Sequence, residues 1–152
     1  MKNITLIILV LFLYNCGYTS IYKNQKSQDF RINVIATKGD NEMNSLIKNE
    51  MRLYSNVNST NIYNIEIDTN YKKEILTKDS AGVITDYKLS VTSIVLINLK
   101  ERAEIIELEE SINIKNQSDT FEQNIYEKDV KRNFASSIRE KLILKILNIN
   151  DN

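Results

Sequence analysis

The chain has 152 residues, enough for one modest hydrophobic core and too few for two comfortable domains. Its 20 basic and 20 acidic side chains cancel, which argues against a nucleic-acid binder, whose mark is a basic excess or stripe. With no histidine, no proline, one cysteine and three glycines, it lacks the commonest general base and transition-metal ligand, an internal disulfide and phosphate-cradling glycine loops.

In chain order the first feature is a leader. Met1-Lys2-Asn3 is short and positive, and Ile4 to Leu13 is an apolar run of ten residues with Thr5 as its polar break. That length suits a signal-peptide core; a bilayer-crossing helix needs roughly 20 apolar residues. A buried core helix would show a stripe, and this run is apolar on every side. Leu13-Tyr14-Asn15-Cys16 follows and resembles the lipobox of bacterial lipoproteins, with Leu13 at the aliphatic position and Asn15 where Gly, Ala or Ser is usual. The resemblance implies cleavage before Cys16, a diacylglycerol thioether on its sulfur, and acylation (palmitate in kind) of the new amino group. Several acyl chains anchor stably because each buried methylene contributes about 0.8 kcal/mol. Gly17 follows the cysteine where an inner-membrane lipoprotein commonly has aspartate, so the resemblance implies the periplasmic side of the outer membrane. Residues 1–15 are then a signal peptide, 16–28 a lipidated tether without periodicity, and 29–149 a single domain. Only Lys2 would leave with the leader, so the cleaved chain would carry 19 basic against 20 acidic groups.

Phe30 to Ala36, rich in Ile and Val, predicts a first strand. Gly39-Asp40-Asn41 is a break with N-cap residues. From Asn41 to Tyr54, Met43, Leu46, Ile47, Met51 and Tyr54 share one helical face. Ile62 to Tyr71 then alternates with period two, and after a polar link containing Gly82 a longer run alternates from Val83 to Leu99. Straight, that second run would span roughly 55 Å, so it should bend, bulge or project beyond the body. A fourth strand reads through Ile106, Leu108, Ile112 and Ile114, with Glu110 on the same face. A link at 116–120 precedes a last helix from about Glu122 to Leu147, striped by Val130, Phe134, Ile138, Leu142 and Ile146, and the tail 148–152 should fray.

The order β-α-β-β-β-α predicts an α+β two-layer sandwich: a four-stranded mixed sheet with two helices packed on one face. The first helix should place strands 1 and 2 in parallel, right-handed by default, and the later strands should form antiparallel hairpins. The sheet's other face would carry Ile84, Asp86, Lys88, Ser90, Thr92, Ile94, Leu96 and Asn98 of the long strand. A solvated face with ordinary exposed aliphatics and a docking surface for a larger partner both fit that pattern.

The layout resembles the LptE family of lipopolysaccharide-assembly lipoproteins. The features that carry it are Cys16-Gly17-Tyr18-Thr19-Ser20-Ile21-Tyr22, the two long alternating runs, and the Tyr126 region leading into Asn133-Phe134-Ala135-Ser136-Ser137-Ile138-Arg139. Ser20 stands where members often have proline. The resemblance implies a partner, the outer-membrane barrel LptD, whose lumen the lipoprotein plugs, and delivery of lipopolysaccharide to the outer leaflet. Lipopolysaccharide phosphates would need cations, and the densest local group is Lys72, Lys73 and Lys78, expected in the link between the two long runs with Lys88 nearby. Solubilising loop lysines would read the same way. The acids Glu101, Glu104, Glu107, Glu109 and Glu110 disfavour phosphate at the other flank.

No cofactor is implied and no enzyme is expected. Glu109 and Glu110 are adjacent, so on a strand they face opposite sides, and Ser136-Ser137 has no histidine to activate it. The alternative to a translocon subunit is a free-standing periplasmic binding module, or a pilot-type lipoprotein of another secretion system.

Overall fold

The computed structural model describes residues 30–99 and 102–150. Their order is β1 (Arg31–Gly39), α1 (Asn41–Tyr54), β2 (Ile62–Lys78), β3 (Ile84–Asn98), β4 (Ala103–Lys115) and α2 (Thr120–Asn150). The strands form one four-stranded sheet in the order β1-β2-β3-β4. β1 pairs with β2 in parallel, and the other two pairings are antiparallel. Both helices lie on one face, as the alternation and the helical stripes require.

The switch from β1 to α1 depends on one glycine. Gly39 has φ +80°, and a Cβ there would lie 2.0 Å from the Thr69 carbonyl oxygen. Only a residue without a side chain allows that approach. The next amide, Asp40 N–H, donates to the same carbonyl at 2.7 Å. The Asp40 carboxylate then caps α1 by accepting from Met43 N–H at 2.8 Å. Asp119 does the same for α2, accepting from Phe121 N–H at 2.6 Å and Glu122 N–H at 3.1 Å.

The core is the inner side of this two-layer stack. Met43, Ile47 and Met51 of α1 and Ile138, Leu142 and Ile146 of α2 meet Ile65, Ile67, Leu89, Val91, Val95 and Ile97 of the sheet, all essentially inaccessible. Each such aliphatic contributes roughly 1.5–3 kcal/mol by leaving water. Thr69 and Ser93 face the core as a cross-strand pair, their hydroxyls 3.2 Å apart, so neither is buried unsatisfied. Two ion pairs align the helices side by side and parallel: Lys131 with Glu42 and Arg139 with Glu50, each at 2.6 Å.

Three boundaries differ from the sequence expectation. β1 runs on to Gly39, because a register shift that leaves Ile35 out lets pairing with β2 continue. β2 does not stop at Tyr71 but continues to Lys78. Hydrophobic alternation fails there, yet the ladder to β3 persists from Lys72↔Ser90 to Lys78↔Ile84, with register shifts accommodating Leu76. α2 begins at Thr120 and continues through the expected frayed tail as far as Asn150, with Ile149 packed against the core. Residues 151 and 152 lie outside the described residues.

Candidate docking surface

The sheet face that no described residue covers is a lattice of alternate residues set in rows by the register. Asn33, Asn64, Asn98 and Ala103 form one row; Ala36, Glu66, Leu96 and Ile105 form the next; Lys38, Asp68, Ile94 and Glu107 the third. Beyond the end of β1 the rows read Asn70–Thr92–Glu109, Lys72–Ser90–Ser111 and Glu74–Lys88–Asn113. The face therefore has an apolar part bordered by carboxylates and a hydroxyl-rich part that runs toward the β2–β3 turn.

Ile105 is 73% exposed and Ile94 45% exposed. With Ala36, Lys38, Asp68 and Leu96 they line a shallow depression of about 190 Å³. A second depression of about 410 Å³ lies over the hydroxyl-rich part, between Lys88, Ser90, Thr92, Glu109 and Ser111. Neither is a deep pocket. Such ground suits a broad surface that offers both apolar side chains and hydrogen-bonding groups.

The β2–β3 turn is built around Asp79 and Gly82. Asp79 accepts from the amides of Ala81 and Val83 through its carboxylate, at 2.9 and 2.8 Å, and Gly82 adopts φ +83° with nothing near the missing Cβ. Just below it, Thr77 donates to Asp86 and lies 2.6 Å from the Thr85 hydroxyl. The Asp86 carboxyl is held below its usual range by hydrogen bonds from Thr77 and then Thr85.

The expected lysine cluster is a correction. Lys72 and Lys73 are not in a link: both lie within β2, and Lys78 is its last residue. Because neighbours on a strand face opposite sides, Lys72 stands on the open face and Lys73 on the helix side. Lys73 is already engaged, 2.7 Å from Glu127 and 4.4 Å from the centre of the Tyr87 ring. Lys72, Lys78 and Lys88 are exposed, with Lys72 and Lys88 on adjacent rows of the open face. Cys16 lies outside the described residues.

Around Lys73 the structure assembles a group that sequence spacing did not reveal. Tyr71 donates to Glu127 at 2.8 Å, across 56 positions of chain, and Lys131 sits 4.4 Å from the centre of the Tyr71 ring. Burial, and then the bond to Glu127, push the Tyr71 hydroxyl well above the ordinary range. For Glu127, burial alone would raise the carboxyl; donation by Lys73 and Tyr71 and the charge of Lys131 outweigh it and hold the group low. This network closes the edge of the core where the helix layer gives way to the projecting strands. Glu110 plays a similar part on β4, accepting from Ser137 and pairing with Lys141 at 2.7 Å, while its neighbour Glu109 faces the open side.

No family model and no curated protein matches the sequence. Solved structures do match in fold. Rare lipoprotein B from Shewanella oneidensis is similar with a TM-score of 0.56 at 15% identity, covering 78% of this chain and 99% of its own. Uncharacterized lipoprotein B from Nitrosomonas europaea is similar with a TM-score of 0.53 at 12% identity, covering 80% of this chain and 85% of its own. The chain thus has the fold seen in these bacterial lipoproteins.

Proposed function

We propose that this protein is an outer-membrane lipoprotein, anchored through Cys16, that assembles with an LptD-type barrel, plugs its lumen and helps deliver lipopolysaccharide to the outer leaflet. The observation that carries the reading is a sheet that the described residues cover on one side only, in a fold shared with rare lipoprotein B. The uncovered side supplies a broad, mixed surface of the kind a polar barrel lumen would accept. The Leu13-Tyr14-Asn15-Cys16 segment supplies the anchor. Lys72 and Lys78, exposed on the projecting part of β2, are the cations offered to lipopolysaccharide phosphates, with Lys73 beside them but occupied by Glu127.

Affinity purification of the full-length chain from detergent-solubilised outer membranes tests this directly. A stable complex with one large barrel is expected. Recovery as a monomer, with surface lipopolysaccharide unchanged when the chain is depleted, would favour a free-standing or pilot-type lipoprotein instead. The anchor has its own test. Cys16→Ser should leave the membrane fraction and take up no labelled palmitate; a variant that stays with membranes and takes up as much palmitate as the natural chain would end the lipoprotein reading.

A further inference from the structure

Where β1 begins, the outer surface of the helix layer changes character. Leu53 on α1 and Val57 just past its end are each 72% exposed, and on α2 Leu144 is 62% and Leu147 36% exposed. Leu53 lies two residues from buried Met51, and Leu144 two residues from buried Leu142. At about 100° per residue, both leucines face away from the sheet. The ion pairs Glu50–Arg139 and Glu42–Lys131 set the helices parallel and in step. Leu53, three residues past Glu50, and Leu144, five past Arg139, therefore stand at nearly the same height on neighbouring helices. Exposed Lys48 and Arg52 stand on the same helix as Leu53, and exposed Lys145 follows Leu144 on the flank where it lines a depression with Glu104 and Glu107 of β4; none of the three forms an ion pair among the described residues. On the helices themselves the acids in this half, Glu50 and Glu140, are both taken up by Arg139.

Scattered surface leucines are ordinary, but these are grouped, accompanied by cations on both helices, and placed where the chain would lead to its anchor. The carbonyl of Phe30 accepts from Asn56 N–H at 3.0 Å, and Ile32 N–H donates to Ser55 at 2.9 Å, so the start of the domain is pinned at the end of α1. Cys16 precedes Phe30 by 14 positions, a reach of at most about 50 Å. No helix of the described residues is long and apolar enough to cross a membrane, so contact here would lie in the plane of the interface.

We propose that this end of the helix layer rests on the membrane. In the lipid-anchored chain, before a barrel takes it up, Leu53, Val57, Leu144 and Leu147 enter the headgroup region of an anionic bilayer. Lys48, Arg52 and Lys145 meet its phosphates. The inference rests on the reading of Cys16 as a lipid anchor.

The chain has no tryptophan, so a single introduced one reports on its own surroundings. Leu53→Trp and Leu144→Trp are made in the full lipidated chain, with Ile105→Trp on the open sheet face as reference. Each is reconstituted into phosphatidylcholine–phosphatidylglycerol vesicles whose acyl chains carry bromine, a quencher. The first two should shift to the blue and lose most of their emission, while Ile105→Trp keeps its own. Equal emission from all three, or quenching confined to Ile105→Trp, overturns the proposal. A blue shift without quenching also overturns it, since a second copy or another protein then covers the leucines. Removing phosphatidylglycerol should weaken the quenching; undiminished quenching would take the cations out of the contact. A chain that does not float with vesicles at all refutes the anchor itself, and the inference with it.

Discussion

Leu96 and Ile97 are neighbours on β3, yet Ile97 is inaccessible and Leu96 lies half open on the other side. The same contrast runs along the helix-covered part of the sheet: one face is sealed by two helices, the other by nothing among the described residues. Composition does not separate the faces cleanly, since Ile94, Leu96 and Ile105 stand on the open one. What separates them is cover. The sealed face contributes the stability, and the open face can change at little cost to the fold.

The most severe way to break that contrast is to disturb the turn that lets α1 cover the sheet. Gly39→Ala places a methyl group against the Thr69 carbonyl at a positive φ, so a loss of about 3 kcal/mol or more is expected. Urea unfolding measures it, and a loss below about 1 kcal/mol would show that the β1–α1 junction relaxes freely. Next is a matched pair of truncations. Ile97→Ala on the sealed face should cost about 2–4 kcal/mol, whereas Ile105→Ala on the open face should change stability by no more than about 0.5 kcal/mol. Similar losses at the two positions would mean that the open face is not open in solution.

The edge between the faces gives a smaller, pH-dependent effect. Glu127→Gln should cost about 1 kcal/mol at neutral pH, since two charge-assisted contacts weaken on a partly exposed group. The folded carboxyl titrates below the ordinary value of 4.5, so the unfolded chain binds the proton first. Its contribution is complete above that value and disappears as pH falls through the folded one. The stability difference between natural chain and variant should therefore close in acid; a gap that stayed constant to low pH would remove Glu127's charge from the account. The least disruptive change is Ile105→Asp, which should leave thermal unfolding almost untouched and reduce recovery of a barrel complex. Full recovery would move the docking surface elsewhere.

Much of this architecture was legible in local pattern. Met43, Ile47 and Met51 at helical spacing, and Leu89, Val91, Val95 and Ile97 at alternate positions, each mark a face that must be buried. The far half of β2 was not legible, because Lys72 to Lys78 shows no alternation and is held by backbone pairing to β3, which side-chain pattern does not report. The lysines suffered from the same gap. Read as a loop they formed one cluster; placed on a strand, Lys72 and Lys73 part to opposite faces.

The sequence by itself therefore determined the element order, the buried faces and the lipobox-like segment at Cys16, because short-range periodicity and local chemistry suffice for each. Only the tertiary structure decided where the open face turns from apolar to hydroxyl-rich. The same holds for the capture of Lys73 by Glu127 and for the similar height of Leu53 and Leu144 on neighbouring helices. Those relations join residues tens of positions apart, and only the packed sheet and helices bring them together.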